Sequence, residues 1–392
     1  MSQACPGPAG SRRNPEPVTA VEDTSTAAES SRTASGRTVT SHDVALAAGV
    51  SQSLVSLILS DKPGKKIREQ TRAHVRRVAE ALGYRPNLQA QAMKRRRART
   101  IGLLSIWETG SFVFPPVVNG LKAVCDREGL ALTICTGRTD PDGTPDYVAY
   151  FLENRIDGLV FLSHVGVVRA GVIETLERHG MPFVCAIGAR DLPTVTSVDV
   201  DFRHNGRLAA EHLLASGCRR PVIFLDPSVN YAERERYEGF EAVCREAGVP
   251  VVLAGAAGAE PNNERASGHD ALRARLRRLL REHPATDGFA AVSVPAWQML
   301  AVARDEGIRV PEQLKVVSLD NEAFAPYLTP ALSTVDEPLQ AIGAHAGDML
   351  LRLMAGAAPG EKKELPLTLS SRASSGSIPH TTKSTAGKGE HR

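Results

Sequence analysis

Apolar positions near the N-terminus recur every three to four residues, which is the spacing of short amphipathic helices. Residues 41–59, "SHDVALAAGVSQSLVSLIL", divide at "AGVS" into two such runs. We expect Ser41 to cap the first helix, Gly49 to end it in the left-handed conformation, and Ser51 to cap the second. Two helices joined by so short a turn must cross steeply, as in a helix-turn-helix. The expected inward positions are Val44, Ala45, Ala48, Val55, Ile58 and Leu59.

The outward face of the second predicted helix carries the candidate chemistry of this region. It presents Gln52, Ser53, Ser56 and the larger Leu57. The major groove of DNA is just wide enough for an α-helix, and side chains at the start of such a helix reach the base edges. We therefore interpret these four residues as candidate base readers.

A third amphipathic run, "REQTRAHVRRVAEALGY" at residues 68–84, is predicted to close a small core with the first two helices and to end at Gly83. Its expected inward positions are Val75, Val78, Ala79 and Leu82. Its outward arginines, including Arg77, can contact phosphate and fix the position of the protein without reading sequence. The candidate phosphate contacts are Ser41, Ser51, Arg72, Arg76 and Arg95.

Basic charge is concentrated in the same part of the chain. Residues 37–100 contain 14 Lys and Arg against 4 Asp and Glu, a net charge of +10, so the remaining residues sum to −7 within the total of +3. This asymmetry indicates a polyanionic partner at one end of the chain only. A solvated basic face explains an isolated run such as "KRRRAR" equally well, and the neighbouring helix pattern favours double-stranded DNA.

The segment after the third helix combines a helix break with a short helical run. Pro86 ends the preceding structure, and "LQAQAM" is too short to form a stable helix alone. We expect this helix to form only on a partner.

From Thr100 to about residue 375, apolar runs alternate with helical ones. Unbroken apolar strands between helices predict parallel sheets covered on both faces, and the length favours two lobes. Ligands of such sheets bind beyond the carboxyl ends of the strands. The predicted strands are "TIGLLSI", "LALTICT", "DGLVFLS", "PFVCAIG", "RPVIFLD", "GFAAVSV" and "LKVVSLD".

These stretches together resemble the LacI/GalR (lac repressor) family of bacterial transcription regulators. The matching text is "TVTSHDVALAAGVSQSLVSLIL", "TRAHVRRVAEALGYRPN" and "TIGLL", then "EHLLASGCRR", "RYEGF", "VVSLDNE", "LSTVDEP" and "SSRASS", over roughly residues 38–374. The resemblance implies an N-terminal all-α helix-turn-helix DNA-binding domain with a hinge helix, and a C-terminal α/β two-lobed sensor domain of the periplasmic-binding-protein fold. It also implies a homodimer on a palindromic operator, with repression the expected outcome, controlled by a small-molecule effector between the lobes.

On the DNA side, the resemblance places minor-groove contacts of the hinge helix at Asn87, Ala90 and Met93. Met93 stands where the family carries a leucine that wedges between base pairs, and methionine is an apolar wedge of the same kind. A partly buried linker side chain is the alternative for this residue.

Within the recognition helix, the resemblance makes Gln52 and Ser53 the principal base readers. Leu54 departs from the small or hydroxyl residue usual there, and Leu57 stands where the family often carries a base-contacting arginine. Leucine covers a thymine methyl but cannot hydrogen-bond guanine, so the operator is expected to differ at that step.

In the sensor half, Arg236 of "RERYEGF" matches the family's effector-clamping arginine and Asp320 its cleft aspartate. Such a pair suits a sugar-like polyol or a small acid, because Arg binds oxygens as a planar fork and Asp accepts hydroxyl protons. Aromatic residues after the first strand can stack on a ring or pack in the core, and Arg234 can be a surface residue. The expected effector contacts are Trp107, Phe112, Arg236, Ser293 and Asp320, with Phe114 a further candidate for stacking.

The sensor half also departs from the family pattern. Ser293 and Val294, followed by Pro295, replace an Asn-Asp pair, so a sugar hydroxyl left unpaired there would cost about 1–3 kcal/mol. The effector is then non-sugar, more apolar, or absent. Glu337 stands where Gln is common and adds a charge near the crossover between lobes.

Other function classes are weighed against this interpretation. No GxGxxG or GxxxxGK[ST] pattern follows a strand, and neither the histidines nor the six cysteines have ligand spacing, so we expect no enzyme, cofactor or metal site, and reduced, buried thiols. No apolar run approaches the roughly 20 residues of a membrane span, and no secretory signal begins the chain, so a cytoplasmic protein without membrane contact is expected. The alternative function is a small-molecule (sugar-type) binding protein with only non-specific DNA affinity.

The expected organisation has five parts. They are a disordered tail at residues 1–37, the helix-turn-helix domain at 38–86, the hinge helix and basic linker at 87–99, the two-lobed effector-binding and dimerisation domain at 100–375, and a second disordered tail at 376–392. A dimer is favoured over a tetramer, because no leucine-rich helix follows the sensor domain.

Overall fold

A computed structural model describes most of the chain as two compact units, Met1–Asn87 and Leu88–Arg392, each with its own hydrophobic core. The described residues are 39–59, 67–84, 98–105, 112–162, 170–190, 192–226, 228, 230–255 and 268–376. The hinge helix, the basic run up to residue 97 and the expected tails, apart from Gly376, lie outside them.

The first unit contains three helices: α1 (Ser41–Ala48), α2 (Gln52–Leu59) and α3 (Glu69–Ala81). The chain direction turns by 107° between α1 and α2, which confirms the steep crossing expected from the sequence. Small residues permit this approach, because Ala45 and Ala48 of α1 are both buried. The core residues are Val44, Ala45, Ala48, Val55, Ile58, Val75 and Ala79, with Leu59 and Val78 packed against them.

One inward residue was predicted wrongly. Leu82 lies just past the end of α3 and is 39% exposed, because the helix stops at Ala81 and Gly83 takes a positive φ of 64°. The apolar face of α3 therefore ends at Val78 and Ala79, one turn before Leu82.

Side-chain caps begin the first two helices. The prediction that Ser41 caps α1 is wrong by one residue: Thr40 is the cap, its Oγ1 accepting from the Asp43 amide at 3.4 Å while its own amide donates to Asp43 Oδ2 at 2.8 Å. This reciprocal pair is a capping box. Ser51 was predicted correctly, since its Oγ accepts from the Leu54 amide at 3.2 Å, and Gly49 ends α1 at φ 64°.

The second unit is built on two six-stranded sheets, as far as the described residues show. The first sheet has the order β11-β5-β4-β3-β1-β2 and is parallel throughout; the second has the order β12-β10-β9-β8-β6-β7 and is parallel except for β12. The strands are β1 (Thr100–Ser105), β2 (Ala131–Cys135), β3 (Gly158–Leu162), β4 (Phe183–Ala186), β5 (Ser197–Val200), β6 (Pro221–Phe224), β7 (Val252–Ala254), β8 (Gly288–Ala291), β9 (Lys315–Ser318), β10 (Ser333–Asp336), β11 (Lys362–Leu365) and β12 (Thr368–Ser370).

Helices pack on both sheets. The helices are α4 (Phe114–Glu128), α5 (Asp146–Leu152), α6 (Ala170–Arg178), α7 (Phe202–Ala215), α8 (Tyr231–Glu246), α9 (Gly268–Glu282), α10 (Ser293–Asp305) and α11 (Leu339–Met354), with a 3-10 turn at Ala325–Tyr327. The chain leaves the first sheet at β5 for α7 and the second sheet, returns from β10 through α11 to β11, and passes back to β12. The chain thus passes between the two lobes three times.

Each lobe contains a helix pair that meets at glycines. A Cβ on Gly206 of α7 would lie 1.9 Å from the Arg236 carbonyl oxygen of α8, and a Cβ on Gly239 of α8 would lie 1.9 Å from the Arg203 carbonyl oxygen. In the other lobe, Gly120 of α4 and Gly343 of α11 form the same kind of contact. Because these positions lack a Cβ, the two backbones pack directly against each other.

Two further expectations concern the whole chain. The described cysteines, Cys125, Cys135, Cys185, Cys218 and Cys244, are buried and unpaired with one another, as predicted. Of the helices in the described ranges, none is by itself long and apolar enough to cross a membrane, although α1 and α2 counted together pass that test by length and composition.

Candidate functional site

The outward face of α2 is exposed, as the pattern predicts. Gln52, Ser53 and Ser56 are exposed, while Leu57 is half-buried. The Gln52 Nε2 donates to Ser41 Oγ at 2.9 Å, which ties the first residue of α2 to the first residue of α1. A glutamine amide presents both a donor and an acceptor, the pair that adenine requires.

Two of the predicted phosphate contacts lie on α3. Arg76 is exposed, and Arg72 is half-buried with its Nε 3.8 Å from Glu69 Oε2. The same surface therefore carries a carboxylate that lowers its positive potential locally. Other predicted DNA contacts lie outside the described residues: Asn87, Ala90, Met93 and Arg95.

In the second unit, polar side chains gather at the carboxyl ends of β8 and β9. The first residue of α10, Ser293, donates from its amide to Asp320 Oδ1 at 2.5 Å and lies 2.8 Å from Asp320 Oδ2 through its Oγ. Ser318 Oγ donates to the same Oδ1 at 3.0 Å. Asp320 thus carries its negative charge at the N-terminus of α10, where the helix dipole stabilises it.

A second carboxyl group shares the Ser293 hydroxyl. Glu322 Oε1 lies 2.6 Å from Ser293 Oγ, and Glu322 is only 3% exposed. Burial, followed by the charge of Asp320, raises the pKa of Glu322 to about 8. A group with that pKa is largely protonated at neutral pH, so Glu322 can donate to Ser293 Oγ while the serine donates to Asp320.

Beside these groups, Arg236 of α8 is paired with Glu337, which follows β10. Arg236 Nη2 donates to Glu337 Oε1 at 2.6 Å, with 7% and 6% of the two side chains exposed, and the guanidinium carbon lies 4.9 Å from the centre of the Phe202 ring. Burial disfavours the Arg236 cation, yet its pKa is raised by the surrounding carboxylates of Glu337, Asp320 and Glu233. Burial raises the pKa of Glu337, and Arg236 opposes that shift.

The first lobe approaches the same site through Asp199 of β5. Asp199 Oδ2 accepts from the amides of Gly188 and Ala189 at 3.1 and 3.3 Å, and its charge acts on Glu337. Ile187, just before this turn, has a φ of 62°, which is strained for a β-branched residue. The buried carboxylate therefore holds a strained turn at the end of β4.

Three aromatic rings contact one another at the same edge of the second sheet. Trp297 lies one turn after Ser293 on α10, and its ring centre is 5.0 Å from that of Phe324, which follows Glu322 by two residues. Phe112, from the first lobe, meets Phe324 edge-on at 5.4 Å and is 42% exposed. We call Phe112, Trp297 and Phe324 the aromatic triad.

Comparison with known proteins gives matches to both units. Residues 40–87 match the family described as "Bacterial regulatory proteins, lacI family", and residues 210–375 match a "Periplasmic binding protein-like domain". The HTH-type transcriptional repressor PurR of Proteus mirabilis is 30% identical over 314 residues, which cover 79% of this chain and 88% of that protein. The chain belongs to the LacI family. It is therefore a transcriptional regulator with a helix-turn-helix unit and a sensor domain, and not an enzyme.

Further relatives agree with this LacI-family assignment. The HTH-type transcriptional regulator DegA of Bacillus subtilis is 27% identical over 311 residues, 78% of this chain and 88% of that protein. Among solved structures, a lac repressor dimer bound to operator and the anti-inducer ONPF superposes with a TM-score of 0.73 at 21% identity, covering 86% of this chain and 99% of that one. The transcriptional regulator CelR in complex with cellobiose superposes at 0.61 with 24% identity and the same coverage. These likenesses confirm the predicted fold class.

Two of the effector contacts expected from the LacI resemblance have protein partners in this structure. Arg236 Nη2 donates to Glu337 Oε1, although its buried Nε has no partner among the described residues. The two oxygens of Asp320 accept three protein hydrogen bonds. Phe114 is 6% exposed and packs in the core, whereas Arg234 is a surface residue. Trp107 lies outside the described residues.

Sequence reasoning missed three residues of this LacI-family site: Glu322, Trp297 and Phe324. The predicted contacts Ser293, Asp320 and Phe112 do lie beside them. A usable signal was present, because Glu322 and Phe324 follow "VVSLD" at the carboxyl end of a predicted strand and Trp297 lies four residues after Ser293. None of the three is a position for which the resemblance implies an effector contact.

The raised pKa of Glu322 predicts a pH dependence of stability. Because the folded pKa is about 8 and the ordinary value is 4.5, the folded state holds the extra proton between these pH values. The unfolding free energy of the wild type should therefore fall, relative to that of Glu322→Gln, as pH rises from about 4.5 to about 8, by about 5 kcal/mol in all. Urea unfolding at pH 5, 6.5 and 8, followed by tryptophan fluorescence, measures this difference. Equal pH slopes for the two proteins would contradict it.

Proposed function

We propose that the chain is a dimeric repressor that binds a palindromic DNA operator through its helix-turn-helix units. A small effector that binds between the lobes lowers or raises its affinity for the operator. The observation that carries the DNA part is the first unit itself. Its α2 is set at 107° to α1, exposes Gln52, Ser53 and Ser56, and begins at a hydrogen bond between Gln52 and Ser41. Family membership supports the same mode of binding.

DNA recognition on this proposal divides into two kinds of contact. The base readers are Gln52, Ser53, Ser56 and Leu57, with the minor-groove contacts Asn87, Ala90 and Met93 added by the hinge segment. Phosphate contacts from Ser41, Ser51, Arg72, Arg76 and Arg95 fix the register without reading sequence. Leu57 contributes by covering a thymine methyl, because it has no polar atom to offer a base.

Control by effector follows from the placement of the candidate site. Its groups come from both lobes, Phe112 from the first and Ser293, Asp320 and Phe324 from the second. A ligand held by both lobes favours one angle between them, and that angle sets the separation of the hinge segments in a dimer. Effector and operator affinities are then coupled reciprocally, by typically about 1–3 kcal/mol.

The first experiment recovers DNA fragments bound by the purified full-length chain from sheared bacterial genomic DNA at physiological salt. A short palindrome shared by the recovered fragments is the expected result, and it identifies the operator and the regulated genes. Fragments with no common motif would contradict the proposal. They would favour the alternative function, a small-molecule binding protein with only non-specific DNA affinity.

Replacing Gln52 with Ala should weaken binding to the best operator by about 1–3 kcal/mol while leaving non-specific binding nearly unchanged. The reason is that the amide reads a base and touches no phosphate. Fluorescence anisotropy with operator and scrambled duplexes measures both affinities. Gln70→Ala, an exposed glutamine of α3, is the matched control and should change neither. Equal losses on both duplexes for Gln52→Ala would show that α2 does not read bases.

A further inference from the structure

We propose that the effector of this chain is an organic cation, a protonated amine on a flat apolar body, held between the aromatic triad and four carboxyl groups. These groups are Glu233, Asp320, Glu322 and Glu337, which we call the carboxyl cluster. The inference rests on the proposed function, because it names the chemical class that the interlobe site takes.

The charge balance of the site favours a cationic ligand over an anionic one. The charges of Asp320 and Glu337 act on Glu322, and those of Asp320 and Glu233 act on Arg236, so the carboxyl cluster forms one electrostatic group. Within the described part of the chain, Arg236 is the basic group whose charge acts on Glu233 and Glu337. Its Nη2 already donates to Glu337 Oε1, while its buried Nε has no acceptor among the described residues. A carboxylate or phosphate entering here would meet four carboxyl groups against this one guanidinium, whereas an ammonium group would be attracted.

The shared hydroxyl of Ser293 indicates where positive charge is missing. Its Oγ lies 2.8 Å from Asp320 Oδ2 and 2.6 Å from Glu322 Oε1, and a hydroxyl has one hydrogen to donate. Both contacts can be hydrogen bonds only when one carboxyl group is protonated. In the free site, one of these two carboxyl groups therefore holds a proton. When an ammonium group binds, that carboxyl group can release its proton, and the ammonium group then supplies the positive charge.

A buried acceptor without a partner is the second, independent observation. Glu322 is 3% exposed, and its Oε2 meets no hydrogen-bond donor among the described residues. Such an oxygen is costly to leave unpaired inside a protein. An ammonium group carries three donors, so it can satisfy Oε2. The Trp297 Nε1 is likewise buried with no acceptor in the described ranges, so a polar acceptor on the ligand would find a donor there.

The aromatic triad indicates which non-polar group should carry the amine. Trp297 and Phe324 adjoin Ser293 and Glu322 along the chain, and their ring centres are 5.0 Å apart. Aromatic faces attract cations and stack on flat apolar groups. Phe112 reaches Phe324 from the other lobe and remains 42% exposed, so a ligand seated here contacts both lobes. A simple polyol would leave these rings without an apolar partner.

The test compares three probes that share one body and differ in charge: 2-phenylethylamine, 2-phenylethanol and phenylacetate. Binding to the full-length chain is followed by tryptophan fluorescence, which reports on positions 107 and 297, the two tryptophans of the sequence, and by calorimetry. We expect the amine to bind at least about tenfold more tightly than the alcohol, and the acid not to bind. Equal or tighter binding of the alcohol or the acid would overturn the proposal, as would no binding of the amine at millimolar concentration.

Proton linkage gives a second readout that does not depend on any variant folding. The Glu322 pKa is about 8, and the groups that act on it are Asp320, Ser293 and Glu337. Amine binding near pH 7 should therefore release close to one proton, seen as a buffer-dependent heat, and amine affinity should rise as pH rises from 6 to 8. Glu322→Gln should abolish that release, whereas Glu312→Gln, an exposed glutamate, should keep it. Amine binding without proton release would contradict the replacement of the proton.

Operator recovery separates this inference from the proposed function. If the chain recovers a palindrome but its operator affinity responds only to neutral or acidic small molecules, the ligand class is wrong and the regulator stands. If no palindrome is recovered while the amine binds with proton release, the ligand class stands and the DNA function fails.

Discussion

Replacing Arg236 with Met should destabilise the sensor unit by about 3–5 kcal/mol, because it leaves the buried Glu337 carboxylate without its partner. The two side chains are only 7% and 6% exposed, and their 2.6 Å hydrogen bond joins residues 101 positions apart. Glu337 also lies within the field of Asp320 and Asp199, which oppose its charge. Removing the one cation therefore exposes Glu337 to repulsion as well as to the loss of an ion pair.

The double variant Arg236→Met with Glu337→Met should recover most of the loss, since a well-packed apolar pair has no buried charge to compensate. Urea unfolding of the full-length chain followed by tryptophan fluorescence reports on this unit, because both tryptophans, at positions 107 and 297, lie in it. Arg234→Met, an exposed arginine two residues earlier on the same helix, should change stability by less than about 0.5 kcal/mol. A double variant no more stable than the single one would show that packing, and not charge, explains the loss.

The same ion pair limits which ligands the effector site can bind. An arginine available in the cleft would suit an acidic or polyol ligand, as the resemblance implied. Here position 337 is a glutamate, which the sequence shows as an added charge. Its carboxylate pairs with Arg236 inside the protein. The consequence could not be predicted from the chain alone, because nothing in the local pattern shows that positions 236 and 337 meet.

The sequence was a good guide to elements whose pattern is local. All seven apolar runs predicted as strands are strands. Six of them are mostly buried and read as continuous hydrophobicity, whereas the edge strand β2 is partly exposed. Five strands were not predicted: β5, β7, β10, β11 and β12. Each is three or four residues long, and β5 contains Asp199, whose buried carboxylate interrupts the apolar pattern. The Thr40 cap was readable in principle, because Asp43 follows it at capping-box spacing.

The candidate site was only partly predictable for a physical reason. Ser293, Asp320 and Phe112 were found because they follow strands or match the resemblance. Glu322, Phe324 and Trp297 are unremarkable individually, and their chemistry appears only when the segment after β9 meets α10 at one edge of the second sheet. A raised pKa depends on burial and on neighbouring charge. The charge of Asp320, two residues before Glu322, is visible in the sequence, but the burial that is the larger cause is not.

Replacing Gly206 with Ala should destabilise the sensor unit by about 3 kcal/mol or more, because the new Cβ would lie 1.9 Å from the backbone carbonyl oxygen of Arg236 and cannot be accommodated by a rotamer change. The clash requires α7 and α8 to separate, which would also move Arg236 away from Glu337 and Phe202. We therefore expect a lower urea midpoint and a weaker amine affinity together.

Gly171→Ala is the matched control, since Gly171 is also helical, and a Cβ there would meet no atom within 4 Å among the described contacts. It should leave stability unchanged or raise it by up to about 1 kcal/mol, because alanine favours helix more than glycine does. If Gly206→Ala lowered the urea midpoint while amine affinity and proton release stayed at wild-type values, the close contact of α7 and α8 would stabilise the fold without setting the position of Arg236. Loss of both would show that this helix contact holds the charged groups of the site in place.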